Sequence, residues 1–330
     1  MQAASANGRQ TATAKGILLS RSVTGRVKFA CEVLRQSLFE PMTGVPQKPK
    51  LVRSGGLGIT FIGHSSFLIQ IAGKNVLVDP VFAHWLVLLR RMRRPGVDVS
   101  DLPPVDVVLQ THAHMDHLNL PSLRAILEHN ERHSRPLPEI VVPEGVEDLV
   151  DSLGFARVRT LGWWDELRLD GLHVVMTPAQ HWGTRYFHDD HRGYGGYVLE
   201  GDGHSVYHSG DTAYFEGFRE VARLRPEVAL LPIGAYSPDS IRSVHTTPED
   251  ALQAFFDVGA ARMIPMHYGT FRLSKEPLEE PLPRLLAAAA QRGAQERIKV
   301  LREGETLLTP AKHGHEQPPW SEAPQLSMAL

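Results

Sequence analysis

Residues 111–118 read THAHMDHL, which places three imidazoles and a carboxylate directly after the apolar stretch VDVVLQ. On an extended segment His112 and His114 point the same way, because side chains alternate with period two. Both can therefore grip one cation. Asp116 and His117 follow where the chain turns towards a helix, and they can reach a second cation beside the first. Such spacing suits two metal ions a few ångströms apart, a pair that activates water and stabilises the attacking and leaving oxygens of a displacement. A polar, His-rich surface loop is the competing reading, and the strand ahead of the run argues against it.

Two ions need further ligands, and other strand ends supply them. His181 closes HVVMTPAQH, Asp211 closes HSVYHSGD and His267 closes ARMIPMH. Each alone reads as a structural histidine or a turn aspartate. Four strand ends carrying ligands in one chain point to one shared centre. The chain has 17 histidines and one cysteine, Cys31, so neither an internal disulfide nor a cysteine-rich zinc site is available. Imidazole and carboxylate suit zinc well, and iron or manganese less well. His188, His191 and His204 fall in polar or turn segments and are expected to be solvated. His208, inside a strand, is expected to pack behind the ligands.

The elements that would position these residues are legible in outline. GITFIGHSSFLIQIAGKNVLVDP reads as strand, turn, strand, with AGKN as the turn. DVVLQ and EIVVPEG read as buried strands. DELRLDGLHVVMTPAQH and GGYVLEGDGHSVYHSGD each read as a strand pair about a Gly/Asp turn. EVALLPIG, RMIPMHYG and IKVLREGETLLTP supply later strands. A helix begins at Thr247, with Pro248 at its first position and Asp250 placed for a capping box. A second helix, LPRLLAAAAQRG, stops at Gly293. Strand-rich halves with inserted helices predict an α/β fold of two packed sheets covered by helices. Residues 1–50 read as an N-terminal extension, disordered at first and then carrying an amphipathic helix with Val27, Phe29, Val33, Leu34 and Leu38 on one face. Residues 51–310 read as the catalytic domain, and 311–330 as a flexible tail.

Bulk properties narrow the function. Of 330 residues 42% are hydrophobic, enough for a sizeable core, and the net charge of −2 gives no electrostatic case for nucleic acid. The N-terminus has no long apolar run of a secretory signal. No stretch approaches the ~20 apolar residues of a membrane span. A cytoplasmic protein, soluble or peripherally membrane-associated, is expected.

HAHMDH resembles the H-x-H-x-D-H signature of the metallo-β-lactamase fold, and the resemblance runs from about residue 56 to 310. FIGHSSFLI, VDPVF, PAQHWGTR, GGYVLE, SGDT and HTTPEDA with MHYGTF narrow it to the branch containing N-acyl-phosphatidylethanolamine-hydrolysing phospholipase D. The related L-ascorbate-6-phosphate lactonases share only part of this set. The resemblance implies a four-layer αββα sandwich and a binuclear zinc hydrolase. It also implies that His112, His114 and His181 hold one ion, that Asp116, His117 and His267 hold the other, and that Asp211 bridges them. A water between the ions would be acidified from a pKa near ~15.7 towards ~7, with Asp116 or Asp211 aiming it at phosphorus or a carbonyl carbon. His64 matches a position near the site that either orients a ligand or closes the sheet end. His245 matches a position facing substrate, where it could bind phosphate or protonate a leaving group.

The expected activity is phosphodiester hydrolysis of phospholipase D type in lipid metabolism, on N-acyl-phosphatidylethanolamine or a similar lipid. A metal-dependent lactonase or carboxylic-ester hydrolase of the same fold is the alternative. A di-iron redox protein would favour a further carboxylate where His114 stands. Residues 83–94, AHWLVLLRRMRR, set an apolar run beside four arginines, as an interfacial segment on anionic lipid requires. A buried helix with a basic end is the competing reading.

Overall fold

The computed structural model describes residues 23–186 and 189–312. The readings made for residues 1–22, for His188 and for the tail from 313 lie outside them. Among the described residues, α1 (Val23–Phe39) is followed by β1 (Leu57–Gly63), β2 (Ser66–Ile71) and β3 (Lys74–Val78). A small hairpin, β4 (Trp85–Leu86) and β5 (Leu89–Arg90), precedes β6 (Val107–Leu109), α2 (Leu120–Arg132), β7 (Glu139–Pro143) and β8 (Arg157–Leu161). Next come β9 (Glu166–Leu169), β10 (Leu172–Thr177), β11 (Gly196–Gly201), β12 (His204–His208) and α3 (Phe218–Val221). The fold closes with β13 (Val228–Pro232), α4 (Pro248–Val258), β14 (Arg262–Met266), α5 (Pro281–Gln291) and β15 (Thr306–Thr309).

The strands form two mixed sheets, ordered β15-β1-β2-β3-β6-β7-β8 and β14-β13-β12-β11-β10-β9. In the first, β3, β6, β7 and β8 run parallel; in the second, β12, β13 and β14 do. Most central strands are buried on both faces, hence their near-continuous apolar sequence. Alternate residues feed different cores. Val107 and Leu109 join Phe61, Ile69, Val174, Leu199, Leu230 and Ile264 between the sheets. Val108 points outward, where it and Ile140 pack under Leu123 and Ile126 of α2. On the opposite outer face Ala229, Leu231 and Met263 meet Leu252 and Phe255 of α4 and Leu285 of α5. Three apolar seams separate four layers, so the fold is an αββα sandwich. Truncating a fully buried ring such as Phe255 to Ala would cost about 3–5 kcal/mol.

Local signals hold at α4. Thr247 Oγ1 accepts from the Asp250 amide while the Asp250 carboxylate accepts from Thr247 N, and Gly259 ends the helix at φ +71°. The turn between β2 and β3 places Ala72 and Gly73 at φ +52° and +68°. Both being positive is the pattern of a tight hairpin turn.

Several expectations need correction. GITFIGHSSFLIQI is two strands, because the chain reverses at His64 and Ser65, with His64 at φ +60°. The final strand spans only 306–309. His204 is buried, not solvated: its Nδ1 lies 2.9 Å from Glu227, whereas His191 is exposed as expected. Residues 83–94 form the β4–β5 hairpin rather than a helix. In α1 the expected apolar face is split, with Phe29 and Val33 half-buried and Val27, Leu34 and Leu38 exposed. No helix of the described residues is long and apolar enough to cross a membrane.

Candidate metal centre

All seven sequence-derived ligands converge at one end of the two sheets, just beyond the C-terminal ends of β6, β10, β12 and β14. The segment after β6 stays extended through His112 and then turns, with the amides of His117 and Leu118 bonded to the His114 carbonyl. Arg185 fixes this loop from above by donating Nη1 to the carbonyls of Ala113 (2.7 Å) and Leu118 (2.9 Å).

His112, His114 and His181 each offer a nitrogen within 4.8 Å of the others, and so do the donor atoms of Asp116, His117, His267 and His64. In the first group the rings stand nearly perpendicular, 4.5–5.0 Å apart between centroids. His181 Nδ1 faces the Val244 carbonyl at 2.9 Å, which turns Nε2 inward to lie 3.3 Å from His114 Nδ1. Between the groups sits one oxygen, Asp211 Oδ2. It lies 2.9 Å from His267 Nε2, 3.2 Å from His117 Nε2, and 4.0 Å from both His181 Nε2 and His245 Nδ1. His112 Nε2 and Asp211 Oδ1 are buried without a hydrogen-bond partner. Orphaned donor atoms are costly unless something fills the space between them. Neutral imidazoles plus two carboxylates are what a pair of divalent ions of the zinc type requires.

The electrostatics agree. Burial drives His112 and His181 well below the usual imidazole range and His114 down to about 4, so all three are neutral ligands at pH 7. Burial also acts on His117 and His267, but the Asp211 and Asp116 carboxylates outweigh it. They hold His117 well above its ordinary value and His267 at about 9. Asp116 and Asp211 resist the upward push of burial and stay well below the usual carboxylate range, held there by the neighbouring His117 and His267. In the metal-free protein the two carboxylates thus favour the protonated forms of His117 and His267. Loading with metal at pH 7.5 should release about two protons per chain. Calorimetry in buffers of different ionisation enthalpy measures this, and apparent affinity should climb with pH towards the His267 value of about 9. Loading without proton release would show that both rings are neutral.

Residues 74–268 match the family model described as the beta-lactamase superfamily domain. The chain belongs to this superfamily. It is 34% identical over 275 residues to an uncharacterised protein of Mycobacterium tuberculosis, covering 78% of this chain and 71% of that one. The mitochondrial N-acyl-phosphatidylethanolamine-hydrolyzing phospholipase D of Saccharomyces cerevisiae is 30% identical over 262 residues, 75% of this chain and 55% of that protein. A UPF0173 metal-dependent hydrolase of Methanoculleus marisnigri is 30% identical over 265 residues, 78% of this chain and 99% of that one. Among solved structures, the metallo hydrolase Igni18 of Ignicoccus hospitalis superposes with a TM-score of 0.60 at 25% identity, covering 78% of this chain and all of that one. The chain is a metal-dependent hydrolase of the metallo-β-lactamase fold.

Within this superfamily site two supporting residues stand out. Asp79, in VDP at the end of β3, is fully buried and accepts from Thr111 N (2.8 Å), Thr111 Oγ1 (2.6 Å) and the His117 ring at Nδ1 (2.7 Å). That carboxylate fixes the tautomer that aims His117 Nε2 inward. Sequence reasoning did not single it out, although an aspartate closing an apolar strand was the same signal that found Asp211. His64 orients a ligand: its Nε2 lies 3.0 Å from Asp116 Oδ2, its carbonyl accepts the His267 amide, and burial lowers it to about 3. At pH 7 it is therefore a neutral donor to Asp116. His208 is buried as expected, its Nε2 2.9 Å from the Ser65 carbonyl.

Proposed function

We propose that this protein is a two-zinc phosphodiesterase of phospholipase D type that cleaves N-acyl-phosphatidylethanolamine or a similar lipid at a membrane surface. The observation that carries the reading is the single Asp211 oxygen shared by two ligand clusters, with His245 4.0 Å from it. Bound there, the ions would acidify a water and take up charge developing on the attacked group. Asp116 and Asp211 are placed to accept hydrogen bonds from that water and aim it. No side-chain nucleophile is needed. His245, neutral at pH 7, can donate its free N–H to a phosphoryl or leaving-group oxygen. The yeast relative and the HTTPEDA and MHYGTF segments support a phosphodiester over a lactone. Incubating purified, metal-analysed protein with N-acyl-phosphatidylethanolamine should yield phosphatidic acid and N-acylethanolamine. Opening of lactones with no cleavage of the diester would replace this reading by the lactonase or ester-hydrolase one.

The membrane part of the proposal rests on the β4–β5 hairpin. Its tip bares Val87 (75% exposed) and Leu88 (70%), with Trp85 beside them. The helix α1 packs along β5, tied by Arg90 N–H groups to Ser37 and Glu40, and adds exposed Leu34, Leu38 and Phe39 to the same region. The expected arginine cluster is weaker than its sequence suggests. Arg91 is fully buried, donating to the Val81 and Ala83 carbonyls and lying over Phe271, and Arg93 pairs with Glu279 and Glu303. Attraction to anionic lipid is left to Arg94, Arg35 and Lys28, so apolar insertion carries more of the binding. Changing Trp85 and Leu88 together to Ser should weaken partition onto phosphatidylserine-containing vesicles at least about tenfold. Unchanged partition would remove the hairpin from the interface.

A further inference from the structure

Beside the metal ligands runs a row of aromatic faces that holding the ions does not require. The ring of Trp182 lies 4.3 Å from His181, 4.7 Å from His114 and 6.1 Å from His245, centroid to centroid. Tyr194 also meets the His181 ring, at 6.5 Å, and Trp163 lies 5.6 Å beyond Tyr194. The row leads from the centre to the surface, where Trp163 is 47% exposed.

This row is built into the fold. Trp163 Nε1 donates to the Tyr194 carbonyl. Its turn is closed by Asp165 Oδ2, which accepts the Gly162 amide at 2.8 Å, and by the Trp164 amide on the Met176 carbonyl at 2.7 Å. Gly195 follows Tyr194, and a Cβ there would collide with the Thr177 carbonyl oxygen and crowd Trp163 Nε1. With its one donor used inside the protein, Trp163 presents only an apolar face outward. Large bared aromatics on a fixed frame mark a surface that something covers. The His181 and Tyr194 rings meet edge to face at 80°, and Tyr194 and Trp163 at 78°. An exposed ring face with no free donor suits an aliphatic chain, whereas a trimethylammonium group calls for several faces around one point.

We propose that Trp182, Tyr194 and Trp163 form a subsite for the aliphatic chain on the substrate group next to the scissile bond. The proposal deepens the phosphodiesterase reading, on which it rests for the identity of that group as an N-acylethanolamine. The test is equilibrium dialysis of N-acylethanolamines, from butanoyl to decanoyl, against the zinc-loaded protein. Wild-type affinity should rise about twofold per added methylene, roughly half the full-burial value because the track is half open. In Trp163→Ala the rise should flatten for the longer chains, and Trp163→Phe should restore most of it. Zinc content per chain equal to wild type certifies that both variants are folded. An undiminished rise in a zinc-replete Trp163→Ala would overturn the subsite, as would choline binding more tightly than the decanoyl amide. Dialysis needs no turnover. Chain-dependent binding without diester cleavage would sink the activity but not the subsite; cleavage without chain dependence would do the reverse.

Discussion

Asp211→Ala is expected to lower kcat/KM by at least about 10³-fold, because on the two-ion reading proposed above it removes the oxygen that both ligand clusters share. The Asp211 oxygen is nearest to His267 and His117, yet also within 4.0 Å of His181. Asp116, by contrast, has its ion-pair contacts in the second cluster, 3.7 Å and 3.6 Å from His117 and His267. Metal analysis should find fewer than two ions per chain. Proton release on loading should fall as well, since Asp211 is foremost among the carboxylates holding His117 and His267 protonated against burial. Asp211→Asn keeps the shape without the charge and should behave like the alanine variant. Full metal content with near wild-type turnover in both would show that the clusters work independently.

The convergence of these residues was readable from sequence because strand ends are the points where period-two alternation stops and side chains turn to a common edge. His112, His181, Asp211 and His267 each follow an apolar run; β12 and β14 run parallel through β13, and β10, two antiparallel steps from β12, points the same way, so their ends fall on one edge. What escaped depends on tertiary partners. His204 sits in the polar run GDGHS, and nothing local announces that Glu227 arrives from the approach to β13 to bury it. Arg91 looks like one of four solvated arginines. Its burial is decided by carbonyls at Val81 and Ala83 and by the Phe271 ring, which lies 180 positions along the chain. The β8 segment RVRTL alternates charge with apolar residues at the open edge of the first sheet, too weak a pattern to separate from loop. The strand break within GITFIGHSSFLIQI escaped because a reversal at positive φ without Asn-Gly gives no turn signal. Trp163 and Tyr194 lie 31 positions apart, and only the pairing of β10 with β11 aligns their turns.

His245→Ala should cut turnover by about 10²- to 10⁴-fold, the usual worth of a positioned proton donor or acceptor, while both metal ions remain bound. The ring is held by its neighbours on either side. The Val244 carbonyl faces His181 Nδ1, Thr246 Oγ1 donates to the Pro232 carbonyl at 2.6 Å, and Thr247 caps α4. Removing the imidazole therefore leaves the loop and the His181 tautomer intact. His245 Nδ1 is itself buried without a partner, which is the condition of a group whose partner is substrate. Burial lowers its pKa to about 4, so above roughly pH 5 it is neutral and offers one N–H. The defect in the variant should then be equally large at pH 6 and pH 8. A defect growing as pH falls would mean the ring acts as a cation. Loss of one metal ion from the variant would instead make His245 a ligand alongside His181 and Asp211, with which it shares a cluster. His245→Gln, which retains a side-chain N–H donor, should recover part of the rate if donation to a substrate oxygen is the role.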